Sequence, residues 1–205
     1  MTQRIHLKGL LDLTSACLAS SPFRHFALRS AVDPSFGDEL LTWFESSAPW
    51  ARQEIPGFYE IHNLDLKSLL LPPGLSVLQD VRFLNDVRGE FSRLFETSLH
   101  DEVRVDAHRL SDGRRIRIHT DHGDTCQSHR LLIQLNRGWT SAHGGLLVLL
   151  PEASPGQLTE EHVFYPPHHL SAVGFEISSR SYHAVTPVNK GVRYTLCLSM
   201  QRTSQ

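Results

Sequence analysis

The sequence places a histidine and an aspartate two positions apart, as His119 and Asp121 with one threonine between them. Alternate side chains of a strand point to the same side, so the imidazole and the carboxylate could hold one ion together. A third ligand must come from elsewhere in the chain, and His183 stands at the start of another predicted strand. Two imidazoles and one carboxylate are the ligand set of non-haem Fe(II) sites, which leave other positions of the metal open. The spacing therefore predicts a metal site of His119, Asp121 and His183.

An arginine follows the last of these ligands. Arg193 comes after the turn signal Asn189-Lys190-Gly191, which would bring it back on a return strand beside the metal. A guanidinium binds a carboxylate through two parallel hydrogen bonds, and the hydroxyl of Thr195 could add another. This strand has one small, polar face that suits a pocket for a dicarboxylate. That face carries Arg193, Thr195, Cys197 and Ser199, and the other carries Tyr194, Leu196, Leu198 and Met200.

Two further arginines alternate with isoleucines directly before His119, in the segment Arg115-Ile116-Arg117-Ile118. In a regular strand both would share the face of His119, and Arg117 could then bind an acidic group of the primary substrate. The alternative is a strand that projects past the rim of the fold with solvated arginines, because register slips easily in short strands. The sequence leaves both readings of Arg117 open.

The second half of the chain has the periodicity of β-strands. Residues 101–200 alternate polar and apolar residues or form short apolar runs, and turn-forming residues separate these segments. Eight short strands with such turns favour a sandwich or a jelly-roll barrel. The candidate strands are 102–110, 114–119, 130–136, 145–150, 161–165, 171–177, 183–188 and 192–200.

The first half is mainly helical in pattern. Asp33-Pro34 is a good helix start, and apolar residues follow it at helical spacing. A longer apolar stripe from Leu75 to Phe95 predicts one helix over about 74–97. The segment 22–28 predicts a short strand, and 54–71 is ambiguous but could hold another. The fold class predicted is mainly β with flanking helices (α+β), with N-terminal helices that cover one sheet.

We expect one domain over 1–205, in which 1–100 supplies the helical cover and the first strands and 101–200 supplies the catalytic core. Two loops, 151–160 and 178–182, are candidates to close over the site.

Further short motifs follow the His119/Asp121 pair in a fixed order. A strand ends in Leu-Asn with a tryptophan nearby, a Gly-Gly pair precedes an apolar strand, and a Ser/His segment precedes the arginine strand. Residues 105–200 resemble in this respect the prolyl-4-hydroxylase-like branch of the 2-oxoglutarate/Fe(II) dioxygenase superfamily. The matching pieces are Leu135-Asn136, Trp139, Gly144-Gly145, Val173 to Ile177, Ser181 to His183, and Arg193.

The resemblance implies a double-stranded β-helix, a jelly-roll, cupin-like barrel, with Fe(II) bound by His119, Asp121 and His183. The co-substrate 2-oxoglutarate would bind iron through its keto-acid end, and its far carboxylate would pair with Arg193 and Thr195. Dioxygen would be consumed, 2-oxoglutarate would become succinate, and ascorbate could serve as a reductant. The carboxylate of Asp121 implies hydroxylation or another oxidation without halide, because related halogenases carry a small residue there.

The substrate class stays open between a peptidyl, proline-like residue and a free amino acid or other small metabolite. The resemblance favours a peptide. Two tyrosines that family members often carry are missing, however: Arg109-Leu110 stands at the first place, and Ile133-Gln134 at the second. Their absence and the compact chain favour a small molecule.

Composition and charge exclude several other classes. A net charge of −2 gives no strongly basic footprint, so no nucleic-acid partner is expected. The N-terminal segment is too short and polar to span a membrane. Cys17, Cys126 and Cys197 lack the C-x-x-C spacing, which favours free thiols in a reducing compartment and predicts a cytoplasmic protein. The oligomeric state stays open.

Two functions from other classes compete with the oxygenase. A catalytically silent barrel could serve as a sensor or scaffold, but its mark would be a broken triad or a lost arginine, and neither is broken here. A metal-dependent cupin-like enzyme could use the same triad without 2-oxoglutarate. Release of labelled carbon dioxide from 2-oxoglutarate would discriminate this enzyme from the oxygenase.

Overall fold

The computed structural model describes residues 7–55, 59–123, 126–151 and 162–203. The α-helices are α1 (Leu7–Leu10), α2 (Pro34–Ser46) and α3 (Val81–Phe95), and short 3-10 helices cover Leu66–Ser68, Pro73–Gln79 and Ser141–His143. The strands are β1 (His25–Leu28), β2 (Ala51–Ile55), β3 (Tyr59–Asp65), β4 (Leu99–Leu110), β5 (Ile116–His119), β6 (His129–Gln134), β7 (Leu147–Leu149), β8 (Val163–Tyr165), β9 (Ala172–Glu176), β10 (His183–Val185) and β11 (Arg193–Arg202).

The strands form two layers. One layer has the order β1-β9-β6-β11-β4-β3, and the other has the order β5-β10-β7-β8. One residue pair, Tyr59 with Ile116, connects the two through β3 and β5. The chain crosses between layers from β4 to β5, β5 to β6, β6 to β7, β8 to β9, β9 to β10 and β10 to β11. This antiparallel winding is the double-stranded β-helix that the sequence predicts, although the sheets do not close into a complete barrel.

Alternation along the central strands separates the core from the site. On β11, Tyr194, Leu196, Leu198 and Met200 join the main hydrophobic cluster, which also contains the buried faces of α2 and α3. Arg193, Thr195, Cys197 and Ser199 instead line a cavity between the two layers. The helices therefore cover the outer face of the β4-β11-β6-β9 layer, as predicted, and the polar face of β11 points inward.

All eight strands predicted for the second half are present, with ends that differ by a few residues. The helix start at Asp33 is also confirmed, since its carboxylate accepts a hydrogen bond from the backbone N–H of Phe36 at 2.9 Å. The single helix predicted over 74–97 is wrong. Asp80 ends the 3-10 helix and caps α3 through the N–H groups of Arg82 and Phe83, so the stripe is divided between two helices.

The ambiguous segment 54–71 contributes to a hairpin. Strand β2 pairs with β3 over five residue pairs, and β3 then pairs with β4. The predicted strand of 22–28 is β1, at the edge beside β9. Of the two candidate lid loops, 178–182 is described, and nearly all of 151–160 lies outside the described residues. Among the helices of the described segments, none has the length and apolar character needed to cross a bilayer.

Candidate active site

The three residues predicted as metal ligands converge at one point between the two layers. His119 is the last residue of β5 and lies opposite His183, the first residue of β10, with their ring centroids 4.2 Å apart. The two carboxylate oxygens of Asp121 lie 3.4 Å from Nε2 of His119 and 3.1 Å from Nε2 of His183. Within the described part of the chain, this is the one group of three such residues that could hold a metal ion.

Both imidazoles are oriented for metal binding by their second nitrogen. Nδ1 of His119 lies 2.8 Å from the carbonyl oxygen of Arg117, and Nδ1 of His183 lies 2.9 Å from that of Ser181. A carbonyl can only accept, so each Nδ1 carries the proton and each Nε2 presents a lone pair to the centre of the group. Burial lowers the pKa of His183, which favours the neutral form that a metal requires.

Asp121 reaches the group by a different route from the one expected. Strand β5 ends at His119, and Asp121 has a φ of 58°, in the left-handed region that non-glycine residues seldom adopt. The turn after β5, and not the alternation of side chains along a strand, therefore orients this carboxylate toward the two imidazoles.

The ionised form of Asp121 is strongly favoured. Burial opposes ionisation, but the close approach of His119 and His183 and the charge of Arg130 outweigh it, so the pKa of Asp121 lies well below its usual range. Nη1 of Arg130 donates to Oδ2 of Asp121 at 2.5 Å. The carboxylate is therefore ready to ligate a divalent cation at any ordinary pH.

Arg193 lies in the same cavity, and its guanidinium group is available to bind a ligand. Its residue is 2% exposed, and its Nε and Nη2 atoms have no hydrogen-bond partner among the described residues. Burial lowers the pKa of this guanidinium to about 10. A buried cation without an anion is costly, so this geometry calls for a carboxylate ligand. The far end of 2-oxoglutarate is such a group, and the triad provides neutral imidazoles and a carboxylate for Fe(II). The residues present thus fit both the metal and the co-substrate.

Thr195 also faces the cavity, two residues along β11 from Arg193. Its hydroxyl donates to the side-chain oxygen of Gln134 at 3.0 Å. A hydroxyl has one proton, so in this arrangement Thr195 can accept from a ligand but cannot donate to one. The structure therefore brings Thr195 to the predicted place and leaves its role toward 2-oxoglutarate a proposal.

Arg117 is not brought to the cavity. His183 pairs with His119 and Val185 with Ile116, so β5 has one more residue than β10 between these pairs, which is a β-bulge. Ile116 and His119 both line the cavity, whereas Arg117 is exposed and lines a shallow groove on the outer side. The interpretation of Arg117 as an inward substrate anchor assumed a regular strand, and the bulge removes that assumption.

Several polar residues of the cavity wall were missed at the level of sequence. Arg130 and Gln127 stand beside Asp121, and Arg104, Asp106 and His108 follow one another on the inner face of β4. A signal was present, because β4 alternates these three residues with Val103, Val105 and Ala107. Polar residues at every second position of a central strand indicate a polar interior wall.

Comparisons with known proteins agree with this geometry. Residues 105–199 match the family described as the 2OG-Fe(II) oxygenase superfamily. No curated protein sequence matches the chain. A prolyl-4-hydroxylase of Pseudomonas putida has a similar structure, with a TM-score of 0.69 and 16% identity over 94% of this chain and 96% of that one.

Two further structures extend the range of the fold. A Trichoplax adhaerens prolyl hydroxylase, in complex with a peptide fragment of the hypoxia inducible factor oxygen degradation domain, has a TM-score of 0.69 and 15% identity, over 88% of this chain and 87% of that one. The carbocyclase SnoK from nogalamycin biosynthesis has a TM-score of 0.62 and 12% identity, over 86% and 78%. At these identities the likeness establishes the fold, and the fold serves peptides and small molecules alike.

The family match includes the triad, Arg193 and the strands that carry them. The same residues have oriented Nε2 atoms, an ionised carboxylate and a buried cation without a partner among the described residues. Residues 105–199 therefore match the 2OG-Fe(II) oxygenase superfamily, and the side chains of the site fit the Fe(II), 2-oxoglutarate and dioxygen that this family uses.

Proposed function

We propose that this chain hydroxylates a C–H bond of a peptidyl, proline-like residue or of a free amino acid or other small metabolite, with His119, Asp121 and His183 as the Fe(II) ligands. Arg193 anchors the far carboxylate of 2-oxoglutarate. The observation that carries the proposal is the guanidinium of Arg193, buried without a partner among the described residues in the cavity that the triad also lines.

Each residue has a defined part in this reaction. His119 and His183 present Nε2 to the metal because backbone carbonyls hold Nδ1. Asp121 supplies the negative charge, and Arg130 fixes its orientation. Arg193 would hold the far carboxylate of the co-substrate and so orient it within the cavity. When bound, Fe(II) and 2-oxoglutarate supply an oxidation in which dioxygen is consumed, 2-oxoglutarate loses carbon dioxide to become succinate, and the substrate gains a hydroxyl oxygen.

The substrate class within this reaction is part of the proposal. Similar structures include prolyl hydroxylases, one of them with a bound peptide, and an enzyme of small-molecule biosynthesis. A peptidyl proline and a free amino acid therefore both suit the fold.

We also infer a cytoplasmic setting and a single domain over 1–205. The inference of location is supported by Cys17, Cys126 and Cys197, which are all free thiols in the described residues. Free thiols are typical of reducing compartments.

The proposal is tested by anaerobic titration of the protein with Fe(II) and 2-oxoglutarate, followed through the visible absorption of their complex. We expect the band to be lost in His183→Ala and to need far more 2-oxoglutarate in Arg193→Ala. The matched controls are His100→Ala and Arg202→Ala, which remove an exposed histidine of β4 and an exposed arginine of β11. Both controls should behave like the unmodified protein.

Three results would contradict the proposal. Iron binding without the 2-oxoglutarate band would indicate a metal enzyme of another kind, and no iron binding would favour a silent barrel. In air, succinate and labelled carbon dioxide should form together. Their absence with the complex intact would exclude the dioxygenase reaction.

A further inference from the structure

The cavity has a second polar wall that the proposed reaction does not use. It is formed by the inner faces of β3 and β4, where Asn63 lies opposite His108 and Asp65 lies opposite Asp106. Asn63, Arg104, Asp106 and His108 all line the cavity. This wall is independent of the metal ligands, which lie on the other layer and on the turn that follows it.

Asp106 is an acceptor that is only half satisfied. The residue is 5% exposed, and its Oδ2 pairs with Nε of Arg104 at 2.6 Å. Its Oδ1 is buried without a hydrogen-bond partner in the described part of the chain. The pKa of Asp106 is raised because burial outweighs the bond from Arg104. The carboxylate therefore needs more positive charge than the protein supplies.

A second acceptor faces the same space. Oδ1 of Asn63 is also buried and has no partner among the described residues. Asn63 on β3 lies opposite His108, which is two residues along β4 from Asp106. Asn63 and Asp106 are therefore diagonal neighbours within reach of one small group. Two acceptors, one of them anionic, call for a ligand with several donors and a positive charge. An ammonium group has three N–H donors and no acceptor, so it matches both.

The position of Asp106 separates it from the co-substrate anchor. Asp106 is opposite Cys197 on β11, four residues from Arg193, or roughly 13 Å at the usual rise of a strand. Asp106 also senses the charge of Arg130, whose guanidinium bonds Asp121 and Ser199. Asp106 therefore lies on the side of the cavity where Arg130 meets Asp121, and away from the end that Arg193 occupies. Such a position suits the primary substrate.

We infer that Asp106 and Asn63 bind the ammonium group of a free amino acid or similar small amine, so that the hydroxylated substrate is a small molecule and not a residue within a peptide. This inference rests on the proposed function. The nitrogen of a peptidyl proline carries neither a proton nor a charge, so it cannot satisfy these acceptors. The cavity measures about 200 Å³, which is small beside the roughly 300–1,000 Å³ of sites for larger ligands.

The test is anaerobic calorimetry of the protein loaded with Fe(II) and 2-oxoglutarate. The titrants are the free L-amino acids, their decarboxylated amines, the N-acetyl derivative of each ligand that binds, and a proline peptide blocked at both ends. We expect a free amino acid or amine to bind and its N-acetyl derivative to bind at least tenfold more weakly, because acetylation removes the charge and two donors.

Variants assign the effect to the proposed residues. Asp106→Asn keeps the shape and removes the charge, so it should weaken amine binding at least tenfold and abolish the preference over the N-acetyl derivative. Asn63→Ala should weaken amine binding severalfold, which keeps the test decisive if Asp106→Asn unfolds. The matched control is Asp101→Asn, which removes an exposed carboxylate of the same strand that pairs with Arg88. It should bind the amine normally.

The outcomes separate this inference from the proposed function. If the Fe(II)–2-oxoglutarate band forms but no amine binds, or if only the blocked peptide binds, the inference is overturned and the proposed function stands. Equal amine affinity in Asp106→Asn, Asn63→Ala and Asp101→Asn would also overturn it. If the band does not form in the unmodified protein, the proposed function fails and this inference fails with it.

Discussion

The carboxylate of Asp121 depends on a neighbour that is not a metal ligand. Arg130 donates from Nη1 to Asp121, from Nη2 to the side-chain oxygen of Gln127 and from Nε to Ser199. Groups that orient metal ligands in this way commonly contribute 10–100-fold to metal affinity or activity. We therefore expect Arg130→Ala to weaken Fe(II) binding by about tenfold to a hundredfold. A competition titration with a coloured chelator measures this change.

The matched control for this prediction is Arg137→Ala. Arg137 also pairs with an aspartate, Asp38, but on the surface of the protein. Exposed pairs contribute little, so iron affinity should not change. Equal iron affinity in the two variants would show that Arg130 does not position Asp121.

Gly145 makes room for Arg193. It has a φ of 65°, and a methyl group in place of its hydrogen would lie 3.0 Å from Cδ of Arg193. We expect Gly145→Ala to shift the guanidinium and to raise the dissociation constant of 2-oxoglutarate about tenfold or more. Gly113→Ala is the control, because Gly113 has a φ of 75° and open space around it.

Both glycine variants should lose roughly 1–2 kcal/mol of stability from the left-handed backbone, which thermal unfolding would show. Only Gly145→Ala should affect 2-oxoglutarate. If Gly145→Ala and Gly113→Ala change the dissociation constant of 2-oxoglutarate by a similar amount, backbone strain, and not contact with Arg193, is responsible.

Among single residues, the sequence predicts those whose side-chain type is itself specific to one kind of chemistry. His119, Asp121, His183 and Arg193 could be predicted because few combinations of side chains bind a metal and a dicarboxylate. The direction of the Arg117 side chain could not be predicted, because it depends on a β-bulge in β5 that no residue type in the sequence indicates. The roles of these residues as ligands stay predictions until iron is titrated.

Among the secondary-structure elements, α3 depends on one capping residue. Oδ1 of Asp80 accepts from the backbone N–H groups of Arg82 at 2.7 Å and Phe83 at 3.3 Å. Replacing such a cap by alanine costs about 1 kcal/mol. Asp80→Ala should therefore lower the free energy of unfolding by about that amount in a urea titration. Asp86→Ala, an exposed aspartate inside α3, should cost less.

Asp80 also marks the place where the predicted helix differs from the observed helices. Apolar spacing alone predicts one helix from 74 to 97, but Asp80 competes for the N–H groups of the next turn and restarts the helix there. Val81 falls within the apolar stripe of the sequence, yet as the first residue of α3 it is exposed. The strands were predicted more accurately because turn residues mark their ends on both sides.

At the scale of the whole molecule, the order of the strands in the two layers could not be predicted from the hydrophobic periodicity of the sequence. The turn at 189–191 returns the chain to the cavity of the predicted metal ligands, as expected, but the returning strand β11 pairs with β4 and β6 in the layer opposite β10. A turn signal gives the place of a reversal and not the layer to which the next strand goes. The double-stranded β-helix could be predicted from the resemblance, and the pairing of β3 with β4 along the cavity wall only from the structure.

The interface between the helices and the sheet contains a buried histidine that should make folding sensitive to pH. His129 on β6 is fully buried, its ring lies 4.8 Å from that of Phe95, and its Nε2 has no partner in the described part of the chain. Burial, helped by the charges of Arg202 and Arg24 and opposed by that of Glu176, lowers the pKa of His129 to about 4.

The unfolded chain should protonate this histidine near pH 6.5, well before the folded chain does. Between pH 6.5 and 4 the unfolded state thus binds more protons, and His129 lowers stability by up to about 1.4 kcal/mol per pH unit as the pH falls. Above pH 6.5 its contribution is constant. We expect His129→Leu to show a shallower loss of stability over this window in urea titrations, whatever its stability at pH 7. The exposed His100→Leu variant, on β4, should keep the slope of the unmodified protein, and an unchanged slope in His129→Leu would contradict the assignment.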